Sequence, residues 1–558
     1  MSKSRLYRAC LLAGCALLIL RLLPMVLSLI ISASAGRNWR DTTLRYFFEW
    51  KGLENYISLF TQRQTSYYSS FPYVFSDNYF FRALKNSIVL ALTSGGLASL
   101  MGGLLAACAL RLPKRWQAAI LCAAAIPAVI PEPCTVAMLL DLCSSDGAVT
   151  MLLLKVGLLE VPKNLFSIPL TYSIIYPLME TVKLLFFPTV LALMMGKRYG
   201  KHGIVCASAL YFLLRMVLFT SFSSVGELMS NPLMFHTADT LGLYAYREGV
   251  MAVMFGGSGT GTALDNLRWL LTLAAAIPSL ILARRLLRSL KKCRPQKLTG
   301  SPVLFALGAV MILLPSLFTM GYILYKGVYG IAVLFPELER WGVVKHEYLF
   351  NAMLNYLPGF TNSLLICGSA GAAAAGAALF ISIALRHKSL RPLAMAAFCW
   401  PAGSSALYWA FRQTEILNGY PEIITGQVLF WGFPILGGVM TYLYMKQFDF
   451  DDMKRYLRFS RPMLWTVFIV VSLLVYSMPT PELSRGSYYS AAFSLLDFVE
   501  GSGMWLGGLN DFSGRSIQRD TGLDCYAATQ WIMAMLLCLP PAAAACIAVK
   551  RLGSKLDH

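Results

Sequence analysis

NSIVLALTSGGLASLMGGLLAACALRLPKR, residues 86–115, decides the fold. No charge interrupts it between Ser87 and Leu110, and Arg111, Lys114 and Arg115 close it. A run of about 20 apolar residues matches the hydrocarbon thickness of a bilayer, and a segment in that solvent must satisfy its own backbone hydrogen bonds. The stretch therefore reads as a transmembrane helix rather than a barrel strand.

The same reading extends along the chain. Of its 558 residues, 57% are hydrophobic and 14% are charged, too apolar a composition for a water-solvated domain. Twelve spans are expected near 9–33, 86–110, 117–141, 166–196, 204–226, 266–287, 303–325, 362–385, 391–411, 427–446, 462–479 and 528–549. The fourth exceeds one crossing and is expected to tilt or to break near Pro177 or Pro188. The opening run is long, contains Arg21 and lacks a small-residue cleavage site, so it reads as the first span and not as a cleaved signal.

Lysine and arginine set the orientation. With the N-terminus inside, the cytoplasmic segments collect Arg5 and Arg8, then Arg111 to Arg115, Lys197 to Lys201, Arg284 to Lys297, Arg386 to Arg391, Lys446 to Arg461 and Lys550 to Lys555. The acidic residues in those segments are Asp449, Asp451, Asp452 and Asp557, so alternate loops follow the positive-inside rule. A bacterial cytoplasmic-membrane protein with both termini inside is expected. The net charge of +20 arises from short clusters at helix ends, with no recognition helix or aromatic platform, which argues for anionic lipid and against nucleic acid as the partner. The 13 cysteines have no metal-ligand spacing and read as small buried residues.

The chain is written twice. A second stretch, NSLLICGSAGAAAAGAALFISIALRHKSLR at 362–391, opens on the same Asn-Ser pair and leaves through the same kind of basic exit. A parallel tandem repeat of six plus six spans follows, with halves at 1–297 and 298–558. Gly95, Ser99 and Gly103 form a small-residue stripe on the first of these helices, and Gly368, Ala372 and Gly376 on the second; either is expected to let a neighbouring helix approach closely. Long outer loops near 34–85 and 480–527 carry many aromatics, among them Tyr67, Tyr68, Trp505 and Phe512.

Several segments resemble a known family. GLENYISLF at 52–60, DNYFFRALKNS at 77–87, Gly147 with Gly157, SFSSVGELMSNP at 221–232 and TLGLYAYREG at 240–249 are similar, in order and spacing, to the membrane permease subunits of binding-protein-dependent ABC importers of the sugar-uptake type. FTNS at 360–363, ALRHKSLRPL at 384–393 and LPPAAAACIAVKRL at 539–552 resemble the companion permease. The resemblance implies two fused permease subunits that use a separate cytoplasmic ABC ATPase and an extracellular solute-binding protein. ATP would act only through that ATPase, and the chain itself needs no cofactor. One departure stands out. The family's cytoplasmic loop between the fourth and fifth spans carries an acidic-Ala-Ala segment and a later glycine that form the ATPase-docking helix. Here the first half offers only MGKRYGKHG at 195–203, and the second only a segment of about two turns holding Phe450, Asp451, Asp452, Met453, Arg455 and Tyr456.

No catalytic constellation is present. His202, His236, His346, His387 and His558 are scattered, and GGSGTGTA at 256–263 lacks the Lys-Ser/Thr ending of a phosphate loop, reads as an outer loop and leaves no case for an enzyme. Charges inside spans are the site candidates, because an ionisable group in hydrocarbon is costly unless it faces a partner or a cavity. Glu180 and Lys183 share a helix face, Arg215 lies midway along the next span, and Glu132 sits between Pro131 and Pro133 in a broken stretch. They read either as a buried ion pair between helices or as the polar lining of a pathway between halves. Asp141 reads as the outer boundary of the third span. Two functions remain open: an importer permease for a small polar solute such as a sugar, or a permease-derived scaffold or sensor without ATPase coupling. A major-facilitator carrier ranks last, since RLPKRWQ after the second span lacks that family's acidic-Arg-Gly motif.

Overall fold

The structure is a computed structural model, and it describes residues 3–34, 49–61, 78–221, 237, 239–245, 248, 259–290, 292–293, 301–341, 343–399, 435–446, 453–477 and 523–555. Within them the chain is mostly helical, with an isolated bridge between Ser34 and Trp50. Eight helices are long and apolar enough to cross a bilayer, or nine when a bent pair is counted as one. The ninth and tenth expected spans, 391–411 and 427–446, and the two long outer loops are described only in part.

Helix α1 covers Lys3–Ser32, and α2, Glu54–Thr61, lies beyond its far end. Helix α3, Tyr79–Arg111, starts at Asn78, whose side chain accepts from the Phe81 amide, and stops before Pro113, because the residue preceding a proline avoids the helical region. The expected span 117–141 is two helices: α4, Lys114–Val129, and α5, Glu132–Cys143, break apart at Pro131. A short helix α6, Ala148–Lys155, follows. The fourth span is a bent pair. Helices α7, Pro169–Leu184, and α8, Phe186–Tyr199, meet at 47°, with Pro188 placed four residues after Leu184 so that the Leu184 carbonyl has no amide donor within the helix. Pro188 in turn packs where Gly102 of α3 leaves room.

Helix α9, Lys201–Val217, follows α8 after the single residue Gly200, at φ +61° and ψ −141°, a region open essentially only to glycine. The remaining helices are α10, Leu241–Ala245; α11, Gly259–Leu290; α12, Pro302–Trp341; α13, Val343–Ala384; α14, Arg391–Phe398; α15, Ile435–Met445; α16, Met453–Ser477; and α17, Leu523–Lys555. The expected outer loop at 256–263 is corrected in its second part: Gly259 to Ala263 begin α11, with Thr262 and Ala263 buried.

Packing between the parts is reciprocal. α1 lies along α13 and touches α14, while α12 lies along α3 and α4. α1 also packs on α11, as α12 packs on α17. α3 contacts α8 and α9, which contact each other; α13 contacts α15 and α16, which do the same. α17 packs on α4, and α11 meets α14 through Trp269 Nε1 donating to the Ala396 carbonyl at 3.3 Å.

The small-residue stripes divide. Gly95 and Gly103 face α9, at the Arg215 stem and at Ser208. On α13, Gly368 and Gly376 meet nothing within 4 Å; the close approach is made by Gly371, against Ser472 and Phe468 of α16. Gly371 stands as far from Asn362 as Gly95 does from Asn86, whereas an alanine-rich helix presents small faces in every direction and spacing alone does not choose among them.

Basic helix ends gather. The Tyr7 hydroxyl lies 3.2 Å from His387 Nε2, Arg386 stacks over Tyr456, and Arg111 stacks over Phe305. At the other end of α1, Asn266 of α11 donates to the Ser28 carbonyl, to Ser32 and to Tyr56, while Asn55 of α2 donates to the carbonyls of Ser32 and Ser34. The Asn-Ser pair of α3 holds the same far end: Asn86 donates to the Asp239 carbonyl, and Ser87 accepts from the Leu241 amide.

Candidate functional site

The break at Pro131 leaves Glu132 as the first residue of α5, where a carboxylate meets the positive end of the helix dipole. Lys183 of α7 reaches it: Nζ lies 3.1 Å from Glu132 Oε1, with the two side chains 11% and 12% exposed. Lys183 thus bridges to a different element as well as sharing a face with Glu180, a partner its spacing on α7 does not reveal. Glu180 is buried one turn earlier and lies in electrostatic range of both Glu132 and Tyr211. Arg215 follows Tyr211 by one turn of α9 and interacts with it, its stem fitting against Gly95. Thr181 donates to the Pro177 carbonyl and approaches the Ser94 carbonyl at 3.4 Å, fixing α7 against α3.

The four candidates Glu132, Glu180, Lys183 and Arg215 therefore occupy one neighbourhood among α3, α5, α7 and α9. Two anions and two cations balance, which is what allows such a group to persist away from water. Glu132 Oε2 and Arg215 Nε are buried without a hydrogen-bond partner, so an acceptor and a donor remain unused. The arrangement can hydrogen-bond a polar solute or lock helices together. Among the described residues no group of three His, Cys, Asp or Glu is placed to hold a metal ion.

Two further charged groups were not among the site candidates read from the sequence. Asp141, near the end of α5, is held by α12: Lys326 Nζ lies at 2.8 Å and the Tyr322 hydroxyl donates at 2.5 Å. Lys326 also lies over the rings of Tyr322 and of Trp531 on α17. Asp141 is thus an inter-helix anchor rather than a bare boundary charge. In α11, Arg268 Nη1 pairs with Asp265 at 2.6 Å, and its Nε and Nη2 donate to the Thr220 carbonyl at 3.0 and 2.7 Å, all deeply buried. The signal was available as opposite charges three apart within one span.

The ATPase-contact segment differs from expectation. Phe450, Asp451 and Asp452 lie outside the described residues. Met453, Arg455 and Tyr456 begin the long helix α16 and form no separate two-turn helix among the described residues. Met453 and Tyr456 are buried against Cys10, Ile383 and Met445, and the Tyr456 hydroxyl shares a 2.8 Å hydrogen bond with Ser382. Arg455 alone of these three is exposed. In the first half, Gly200 by itself separates α8 from α9, so no helix stands between them.

No protein-family model and no curated protein matches the chain. Among solved structures, a bacterial alginate ABC transporter in complex with an alginate pentasaccharide-bound periplasmic protein is similar to it at a TM-score of 0.35 and 20% identity, over 42% of this chain and 83% of that one. A superposition that loose sets neither a family nor a function for this chain, whose described residues are mostly helical and include eight helices, or nine with the bent pair, long and apolar enough to span a membrane.

Proposed function

We propose that this chain is the pathway-forming permease of an ABC-type importer, made of two fused six-helix halves with both termini in the cytoplasm of a bacterial cell. The observation that carries this reading is the reciprocal packing, in which the first helix of each half lies along the second helix of the other. Two similar units exchanging their first helices share a seam, and rocking about such a seam is how repeat-built transporters expose a central site alternately to each side. The chain performs no reaction. Energy comes from a separate ATPase, and the outer segments 52–60 and 240–249, by their resemblance to sugar-uptake permeases, fit delivery of a small polar solute by a binding protein.

A second reading, a permease-derived scaffold or sensor, is favoured by one observation: α8 and α9 are joined by Gly200 alone, and Met453 and Tyr456 are buried. Photo-crosslinking residues placed at Tyr199 and at Arg455, in native membranes, separate the two. Capture of an ATPase from either position supports the importer. Capture from neither, in membranes where the protein is folded and abundant, rejects it in favour of the scaffold.

A further inference from the structure

A cavity of about 390 Å³ opens where α9 and α11 meet α14 and α15. Leu214, Val217, Leu280, Ala394, Phe398 and Leu443 make its walls, and no acidic side chain lines it. Leu280 and Leu443 are each more than half exposed, so the mouth faces the side of the molecule that the bilayer covers. A volume in the range of ordinary ligand pockets, with apolar walls open to lipid, suits an acyl chain.

One end is polar. Arg391 contributes to the lining, with Nη2 donating to the Tyr442 hydroxyl at 2.7 Å and Nε approaching the Leu385 carbonyl at 3.5 Å, and its guanidinium lies over the Tyr442 ring. These contacts fix the fork while the side chain stays exposed, and the Tyr442 hydroxyl, as the acceptor from Arg391, keeps its own proton to donate. Arg284 stands one turn beyond Leu280 on α11, and Lys388 lies just before α14; both are exposed. This end belongs to the basic side of the molecule, where Tyr7 meets His387. An apolar slot beneath a held guanidinium, ringed by cations at a membrane surface, matches an anionic phospholipid.

We propose that this cavity binds one anionic phospholipid, with an acyl chain between α9, α11, α14 and α15 and its phosphate on Arg391 and Tyr442, so that the lipid bridges the pair α9 and α11 to the pair α14 and α15. The inference needs only that the protein is embedded in a bilayer and is independent of any transport activity.

The test uses the full chain, delipidated in detergent and then offered phosphatidylglycerol or phosphatidylcholine, with retained lipid read by native mass spectrometry. A charge-assisted phosphate contact implies at least about tenfold tighter retention of phosphatidylglycerol. Arg391→Gln should abolish that preference. Ala394→Phe, which fills the slot and leaves the guanidinium, should lose the lipid, while Lys201→Gln should change nothing. If Arg391→Gln fails to fold, Ala394→Phe and Leu443→Phe carry the test. Equal retention of both lipids by the unaltered chain, undiminished retention in the slot-filling variants, or the same thermal stabilisation by inorganic phosphate alone would overturn the proposal.

Discussion

Replacing Lys183 by Met separates an ion pair that the fold has taken out of water. The ammonium lies 3.1 Å from Glu132, and both side chains are almost 90% buried, so little solvent screening has to be discounted. The substitution keeps the volume and the apolar stem but leaves Glu132 unpaired, with Glu180 adding like charge nearby. Breaking a buried pair from one side costs about 3–5 kcal/mol, and the second carboxylate puts Lys183→Met at the upper part of that range. Glu132→Gln is expected to cost less, about 1–3 kcal/mol, because Lys183 keeps Glu180 one turn away and only one charge-assisted bond is lost. The double variant should recover part of the loss, since Glu132 no longer faces the bare position as a carboxylate and no longer repels Glu180. Reversible unfolding by denaturing detergent, followed by tryptophan fluorescence, measures all three. A Lys183→Met variant as stable as the unaltered protein, or one harmed less than Glu132→Gln, would refute this account of the cluster.

Three other outcomes are expected. Arg268→Ala removes a buried ion pair with Asp265 and both bonds to the Thr220 carbonyl and should cost about 3–5 kcal/mol, whereas Asp265→Asn, which leaves both Arg268 bonds to Thr220, should cost visibly less in the same unfolding assay. Gly200→Ala imposes a Cβ on a backbone at φ +61° and ψ −141° and should cost about 1–3 kcal/mol, with a matching drop in thermal midpoint. Reporters fused after Arg115 and Lys201 should read cytoplasm, and reporters near Thr61 and Asp239 the outside; a cytoplasmic signal at Asp239 would reverse the orientation drawn from the basic ends.

What the sequence made legible follows what each signal measures. Apolar length locates helices because bilayer thickness is a fixed ruler, and residues 86–110 fall inside α3 while all of 362–385 but its last residue falls inside α13. The same ruler is blind to breaks, so 117–141 read as one span although Pro131 divides it; its proline was visible, but a proline in a span kinks in one context and terminates in another. The cost of burying charge picked out Glu132, Glu180, Lys183 and Arg215, and the fold places them together. Their partners were harder, because spacing exposes only neighbours on one helix. Lys183 finds Glu132 across a sequence separation that no helical period encodes, and Lys326 finds Asp141 from another helix altogether.

The position of these two cross-helix pairs bears on how the molecule can move. Glu132 and Asp141 stand near opposite ends of α5; one is tied to α7 and the other to α12, and α12 is also the helix that lies along α3 and α17. Helix α5 is thus clamped by charge at both ends, yet it is joined to α4 only through a proline break. A rigid element with a flexible joint, gripped from two sides by different helices, transmits displacement between its ends instead of absorbing it, because packed interiors shift in discrete steps. If the halves rock, α5 should travel with α12, and the Lys183–Glu132 contact is where the strain of that movement falls. Cysteines replacing Glu132 and Lys183 should then, once joined by a bifunctional thiol reagent about as long as the two side chains they replace, arrest solute flux, and a pair replacing Asp141 and Lys326, joined in the same way, should leave flux intact. Unchanged flux through the first crosslinked pair would show that α5 and α7 do not separate during the cycle.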